Sequence, residues 1–150
     1  MSGFRRSAVT GAAAAVALAV TASTVFAGGI EAGLWKITSI VRTGGVTGPP
    51  RQTSKCLTAQ DVRDLPTTFS PIANTINSTC APIERSFDGT KLSWHLVCKG
   101  QFNMQLDGAF DFDGAHHYTG TVRTKASLAG RPMPDLQQTL EAEWVSACRQ

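Results

Sequence analysis

A period of two runs through most of this chain and leaves little choice of fold. From Leu34 to Thr43, Trp35, Ile37 and Val41 share one side while Lys36, Thr38 and Arg42 take the other. Lys91 to Lys99 sets Leu92, Trp94, Leu96 and Cys98 against Ser93, His95 and Lys99. Phe102, Met104 and Leu106 alternate with Gln101, Asn103 and Gln105, and His116 to Leu128 aligns Tyr118, Val122, Ala126 and Leu128. Near the end, Leu136, Leu140, Ala142, Trp144 and Cys148 face away from Gln137, Thr139, Glu141 and Glu143. Successive side chains on a strand point to opposite faces, so this is the pattern of antiparallel strands with one side buried.

The turn residues agree. Asp88-Gly89 and Asp113-Gly114 each separate two alternating runs, and Asp-Gly is a strong hairpin signal. Gly44-Gly45 with Gly48-Pro49-Pro50, and the run from Gly130 to Pro134, read as longer loops. A single short helix is expected after Thr58. Thr58 can cap it, Asp61 stands three residues on as a capping-box partner, and Pro66 is expected to end it after Leu65. Thr67 to Thr79 reads as an ordered loop, and its Asn77-Ser78-Thr79 triplet as a chance match to a glycosylation acceptor. With so little helix to cover it, a sheet of about seven strands must bend or form two layers. The expected fold is therefore all-β: a strongly curled antiparallel meander or small barrel, with the helix plugging one end.

The first 27 residues follow a different logic. Arg5-Arg6 opens a basic start, Ala8 to Val20 is rich in Ala and Val, and Val25-Phe26-Ala27 is a small-residue processing site. This is the layout of a secretory signal peptide, with residues 28–150 left as one domain. The run is too rich in Ala and Thr for a membrane span, and no cysteine follows the cleavage site to carry a lipid. The expectation is a soluble mature protein in the periplasm or outside the cell. Such a compartment oxidises thiols, so Cys56, Cys80, Cys98 and Cys148 are expected to pair.

Four cysteines allow three pairings. The Asp88-Gly89 hairpin favours Cys80 with Cys98, because it brings them to equivalent positions on neighbouring strands. Cys56 and Cys148 are then left to each other. A plain register through that pair sets Glu84 across from Trp94, where packing would prefer Ile83. A one-residue bulge near Pro82 is expected to resolve the conflict. The cysteines lack the close spacing of thiol oxidoreductases and zinc sites, so they read as staples.

The formal charge of +3 includes the two leader arginines, and the remaining domain is nearly neutral with scattered cations. That argues against a nucleic-acid partner.

One ordered set of motifs resembles a known family. It comprises Gly33-Leu34-Trp35, Cys56-Leu57-Thr58-Ala59-Gln60-Asp61-Val62, Cys80, the run from Asp88 to Cys98, Tyr118-Thr119-Gly120-Thr121 and Ala147-Cys148. Together these resemble small exported bacterial proteins classed only as a domain of unknown function. The resemblance covers nearly all of the chain after the leader. It departs in the loops, which lack Met-Pro-Gly-rich runs, and at Ala59, where such proteins often carry Pro. It implies a periplasmic β domain and brings no catalytic residues with it.

Asp111, Asp113, His116 and His117 form the one cluster with metal-ligand chemistry. Adjacent residues on a strand face opposite ways, so only one histidine could join the aspartates. A polar hairpin tip is the preferred reading, and no cofactor is expected. No Gly-x-Ser-x-Gly elbow, His-Glu-x-x-His or phosphate-binding loop is present, and His95 reads as a surface residue. Trp35, Trp94, Tyr118 and Trp144 are candidate lining for an apolar pocket, set against the simpler reading that they fill the core. The expected function is a non-enzymatic binding or interaction module for an apolar small molecule or an envelope partner. The alternative is a metal-assisted envelope hydrolase built on Asp111, Asp113 and His116.

Overall fold

The computed structural model describes residues 29–73 and 78–149. The signal-peptide reading of residues 1–27 lies outside them, as does Asn77.

Among the described residues the alternating runs and several shorter segments form one antiparallel sheet of 10 strands. In chain order these are β1 (Gly33–Thr43), β2 (Val46–Thr47), β3 (Arg51–Leu57), β4 (Ser78–Cys80), β5 (Glu84–Phe87), β6 (Lys91–Gly100), β7 (Phe102–Gly114), β8 (His117–Leu128), β9 (Arg131–Pro132) and β10 (Leu136–Ser146). Several are short pieces of one rank. β2 and β3 both pair β1, β4 and β5 both pair β6, and β9 extends alongside β8 where β10 has ended. Seven ranks result, in the order β2/β3, β1, β9/β10, β8, β7, β6, β4/β5. β6, β7 and β8 are consecutive hairpins, whereas β10 returns to lie between β1 and β8. The sheet is open: β3 and β4/β5 form its two edges and do not pair with each other, so no barrel closes.

One face carries the core. Trp35, Leu92, Trp94, Leu96, Phe110, Phe112, Tyr118 and Ala142 are buried there, as the alternation requires. Leu136 belongs to the same face by register but is exposed, because it sits at the far end of β10. Cys148 lies beyond the end of β10 and is held by its disulfide instead.

Two short helices cover the core at one end of the sheet. α1 (Ala59–Arg63) starts from Thr58, whose hydroxyl accepts from the Asp61 amide while Asp61 accepts from the Thr58 amide. That reciprocal pair is a complete capping box with Asp in the usual Glu position. Pro66 does not end helical structure. It occupies the first turn of α2 (Leu65–Thr68), capped by Asp64, where a missing amide hydrogen costs nothing. Leu65 and the following Phe69 drop into the core. Phe69 meets Phe110, Phe112 and Tyr118 edge-on at 5.1–5.2 Å.

β3 has no alternation to betray it. Arg51-Gln-Thr-Ser-Lys-Cys is exposed throughout, and only Leu57 is buried, so the strand exists because β1 offers it a ladder. The expected bulge is present at Ala81–Ile83, but it slips the register in the opposite direction. Cys80 pairs with Cys98, while Glu84 faces His95 and Arg85 faces Trp94. Ile83 still packs against the core from the break between β4 and β5.

Candidate functional site

Trp35, Trp94, Tyr118 and Trp144 come together on the covered face, but they pack rather than enclose a space. Trp35 is fully buried, and its ring lies 5.1 Å from Tyr118. Each indole N–H donates to a main-chain carbonyl: Trp35 to Glu31 at 3.0 Å, Trp94 to Phe69 at 2.9 Å and Trp144 to Ala32 at 3.2 Å. The tryptophans thereby clamp the segment before β1 and the end of α2 onto the sheet. Phe69 occupies the middle of the ring set. Burial pushes the Tyr118 hydroxyl up to about 12, so it stays protonated.

Two glycines make room for these rings. A Cβ on Gly108 would stand 2.1 Å from the Trp94 ring, and one on Gly120 2.6 Å from the Phe110 ring. Each glycine lies directly across from its aromatic partner in the ladder. The ring lies over bare backbone, which a side chain of any size would forbid.

The Asp/His cluster separates into three groups. Asp111 accepts from Lys91 across the β6–β7 ladder, and that contact holds the Lys91 ammonium above its usual range. Asp113 lies 2.7 Å from His117 Nδ1, and Glu141 lies 3.2 Å from its Nε2. These two hydrogen bonds raise the His117 pKa. His116 turns the other way, stacks on Trp144 at 4.9 Å and meets Glu31 at 2.8 Å. His116 lies in the turn before β8, and its partners are distinct from those of His117, the first residue of the strand. Asp111, Asp113 and His116 therefore do not converge, and among the described residues no group of three or more His, Cys, Asp or Glu side chains could hold a metal ion.

The structure instead offers a groove of about 820 Å³ on the face opposite the helices. Its floor follows the cross-strand register. One row runs Thr38, Glu141, Thr119, Asp111, Lys91. The next runs Ile40, Thr139, Thr121, Ala109, Ser93, Ser86. A single groove touching both β1 and β5 requires this face to be hollowed across six strands. Small side chains keep it open, and threonine gives each position a methyl as well as a hydroxyl. The Lys91–Asp111 pair, Asp88 and Glu141 supply the charge at one side.

Sequence reasoning had set these residues aside as the solvent half of the alternation. The signal lay in their size: Thr, Ser and Ala recur where long charged side chains are commoner on an exposed sheet face. A third row, Arg42, Gln137, Arg123, Asp107, His95, Glu84, borders the groove. In it His95 Nδ1 meets Asp107 at 2.6 Å, a pairing set by the β6–β7 register and overlooked when His95 was considered alone. Ser86 and Ser93 share a surface hollow with this pair, yet among the described residues neither hydroxyl hydrogen-bonds the ring.

Two disulfides complete the picture. Cys80–Cys98 joins directly opposed residues on β4 and β6, and Cys56–Cys148 ties the end of the chain to edge strand β3. Both are the pairs favoured by the hairpin argument, and no cysteine among the described residues is free.

These features define a class: a disulfide-stapled open β-sheet with one plugged aromatic face and one grooved polar face. Within it, the chain belongs to the family described as protein of unknown function DUF3617, whose model matches residues 30–148. No curated protein and no solved structure matches the chain. Among the described residues no helix is long and apolar enough to cross a membrane.

Proposed function

We propose that the protein is an exported, non-enzymatic binding module that holds a small amphiphilic molecule in the groove across β1, β10, β8, β7, β6 and β5. The observation that carries this reading is the run of small side chains Thr139, Thr121, Ala109, Ser93 and Ser86, laid side by side across five strands beside Ile40. Its volume falls within the range of small-molecule sites. Threonine methyls, Ala109 and Ile40 suit an apolar body, while the hydroxyls and Lys91 suit a polar group. An apolar ligand within the ring set is disfavoured, since Phe69 and the helices fill that space. Export is supported by the leader pattern of residues 1–27 and by two disulfides, which need an oxidising compartment to persist.

The non-enzymatic part rests on occupied chemistry. Asp107, Asp111, Asp113 and Glu141 are each engaged with a cation or a histidine, and all of these pairs lie open to water. Catalytic groups work best where water is excluded and donors are aimed at a reacting atom.

Titration with dodecanoate, followed by amide chemical shifts, tests the site. Shifts should concentrate at Ser93, Ala109, Thr119 and Thr121, and Thr121→Trp should abolish them by filling the floor. Shifts confined to the aromatic face, or none at millimolar dodecanoate, would overturn the proposal.

A further inference from the structure

At the end of the sheet away from the helices, the chain exposes a second surface that the groove does not explain. Two connections meet there: the Gly44-Gly45 turn between β1 and β2, and the Ala129–Asp135 run joining β8, β9 and β10. The Gly44 amide donates to the Asp135 carbonyl at 3.0 Å, and the Met133 amide to the Ala126 carbonyl at 2.9 Å, so the connections are locked together. Their apolar side chains stand in water. Val46 is 73% exposed, Leu128 52%, Met133 45% and Leu136 36%. Val46 and Leu136 both face Thr43, while Leu128, across from Arg131, stands four residues beyond Thr124, the partner of Leu136 on β8, so the apolar rim at this end is stepped.

Cations stand immediately behind that rim. Arg42 and Gln137 precede and follow the Thr43–Leu136 pair, and Arg123 faces Gln137. Lys125 shares Arg123's face two residues on, and Arg131 lies within the rim itself. All four cations are exposed, and none takes part in an ion pair among the described residues. Asp135 is the one acid among the connections, and Asp107, across from Arg123, is engaged by His95.

The structure assigns to this end a docking surface for an anionic lipid bilayer. Apolar tips with cations beside and behind them that form no ion pair fit the headgroup boundary: the tips enter the acyl edge while the cations meet phosphates. The charge pattern selects this occupant over a second copy of the chain, which would bring the same positive rim against itself. It also sets the orientation. Glu31, Asp111, Asp113, Glu141 and Glu143 gather at the opposite end. β8 spans 12 residues between the two ends, or about 40 Å, well beyond the screening length of roughly 8 Å at physiological salt. Those acids therefore do not oppose contact with an anionic surface.

Co-sedimentation of the protein, expressed from the whole chain in a bacterial host, with phosphatidylcholine vesicles tests this. Vesicles carrying about 30% phosphatidylglycerol should bind it, neutral vesicles should not, and high salt should release it. Each lost cation should weaken binding about fivefold. The Arg123→Glu/Lys125→Glu variant, which also adds two negative charges, should then lose at least about 20-fold. Val46→Asp/Met133→Asp should weaken binding without altering the melting temperature. Equal binding to neutral vesicles, or indifference to the two charge reversals, would overturn the inference. Displacement of bound protein by millimolar inorganic phosphate would overturn it too, since it would mean a site for the free ion. Thr121→Trp should leave vesicle binding intact, so failure here is distinguishable from failure of the groove.

Discussion

At one end of the sheet, Trp35, Tyr118, Phe110 and Phe112 lie under two capped helices, and every histidine and carboxylate nearby has found a partner. At the other end, Val46, Leu128, Met133 and Leu136 stand in water among cations that take part in no ion pair among the described residues. The same strands run through both. What differs is whether a segment outside the sheet returns to cover the face. Stability should therefore concentrate at the covered end, while the uncovered end is free to be used for contact.

The largest test of this difference is covalent. Cys56–Cys148 closes a separation of 92 residues beside buried Leu57 at the covered end. Cys80–Cys98 closes only 18, toward the opposite end of β6. Chain-entropy arguments give about 4.5 kcal/mol for the first and about 3 kcal/mol for the second. Denaturant unfolding should find Cys56→Ala/Cys148→Ala the weaker variant by roughly 1.5 kcal/mol. The reverse order would break the comparison.

Removing the plug comes next. Phe69→Ala deletes a ring that touches three others, and should cost about 3 kcal/mol. Leu128→Ser, at a position 52% exposed, should stay within about 0.5 kcal/mol. Similar costs at the two sites would mean that the uncovered rim is also structural. A smaller effect probes the fit beneath the plug. Gly120→Val drives methyls into the Phe110 ring and should lose about 1–3 kcal/mol. Gly114→Ala, with nothing within 4 Å of the added carbon, should be nearly neutral.

The covered face was legible because its residues obey one rule over long runs. Leu92-Ser93-Trp94-His95-Leu96 admits no other reading, and the strand boundaries of β1, β6 and β8 follow within a residue or two. Three things escaped for physical reasons. β3 carries no apolar period, because an exposed edge strand is held by backbone hydrogen bonds alone. Pro66 reads as a stop in isolation, yet a new N-cap at Asp64 turns it into a start. Whether the sheet closes depends on twist accumulated over seven ranks, which no single strand encodes. The candidate site was less legible still. The rings that suggested a pocket are the core, and the groove is made from the residues that alternation assigns to solvent. Only the pairing of Thr119 with Asp111 and Glu141, and of Thr121 with Ala109 and Thr139, turns them into a floor.

The smallest effect is a titration at the covered end. Hydrogen bonds to Asp113 and Glu141 favour the charged form of His117, so its pKa is higher in the folded state than the unperturbed 6.5. The folded state then binds a proton more tightly than the unfolded chain does. That contribution is complete below pH 6.5 and is lost as pH rises through the folded value. His117 is 35% exposed, and solvent screening keeps the whole effect under about 1 kcal/mol. Melting temperatures should fall slightly between about pH 6 and 8, and His117→Gln should flatten the profile. A profile that rises over that range, or one unchanged in the variant, would remove His117 as its cause.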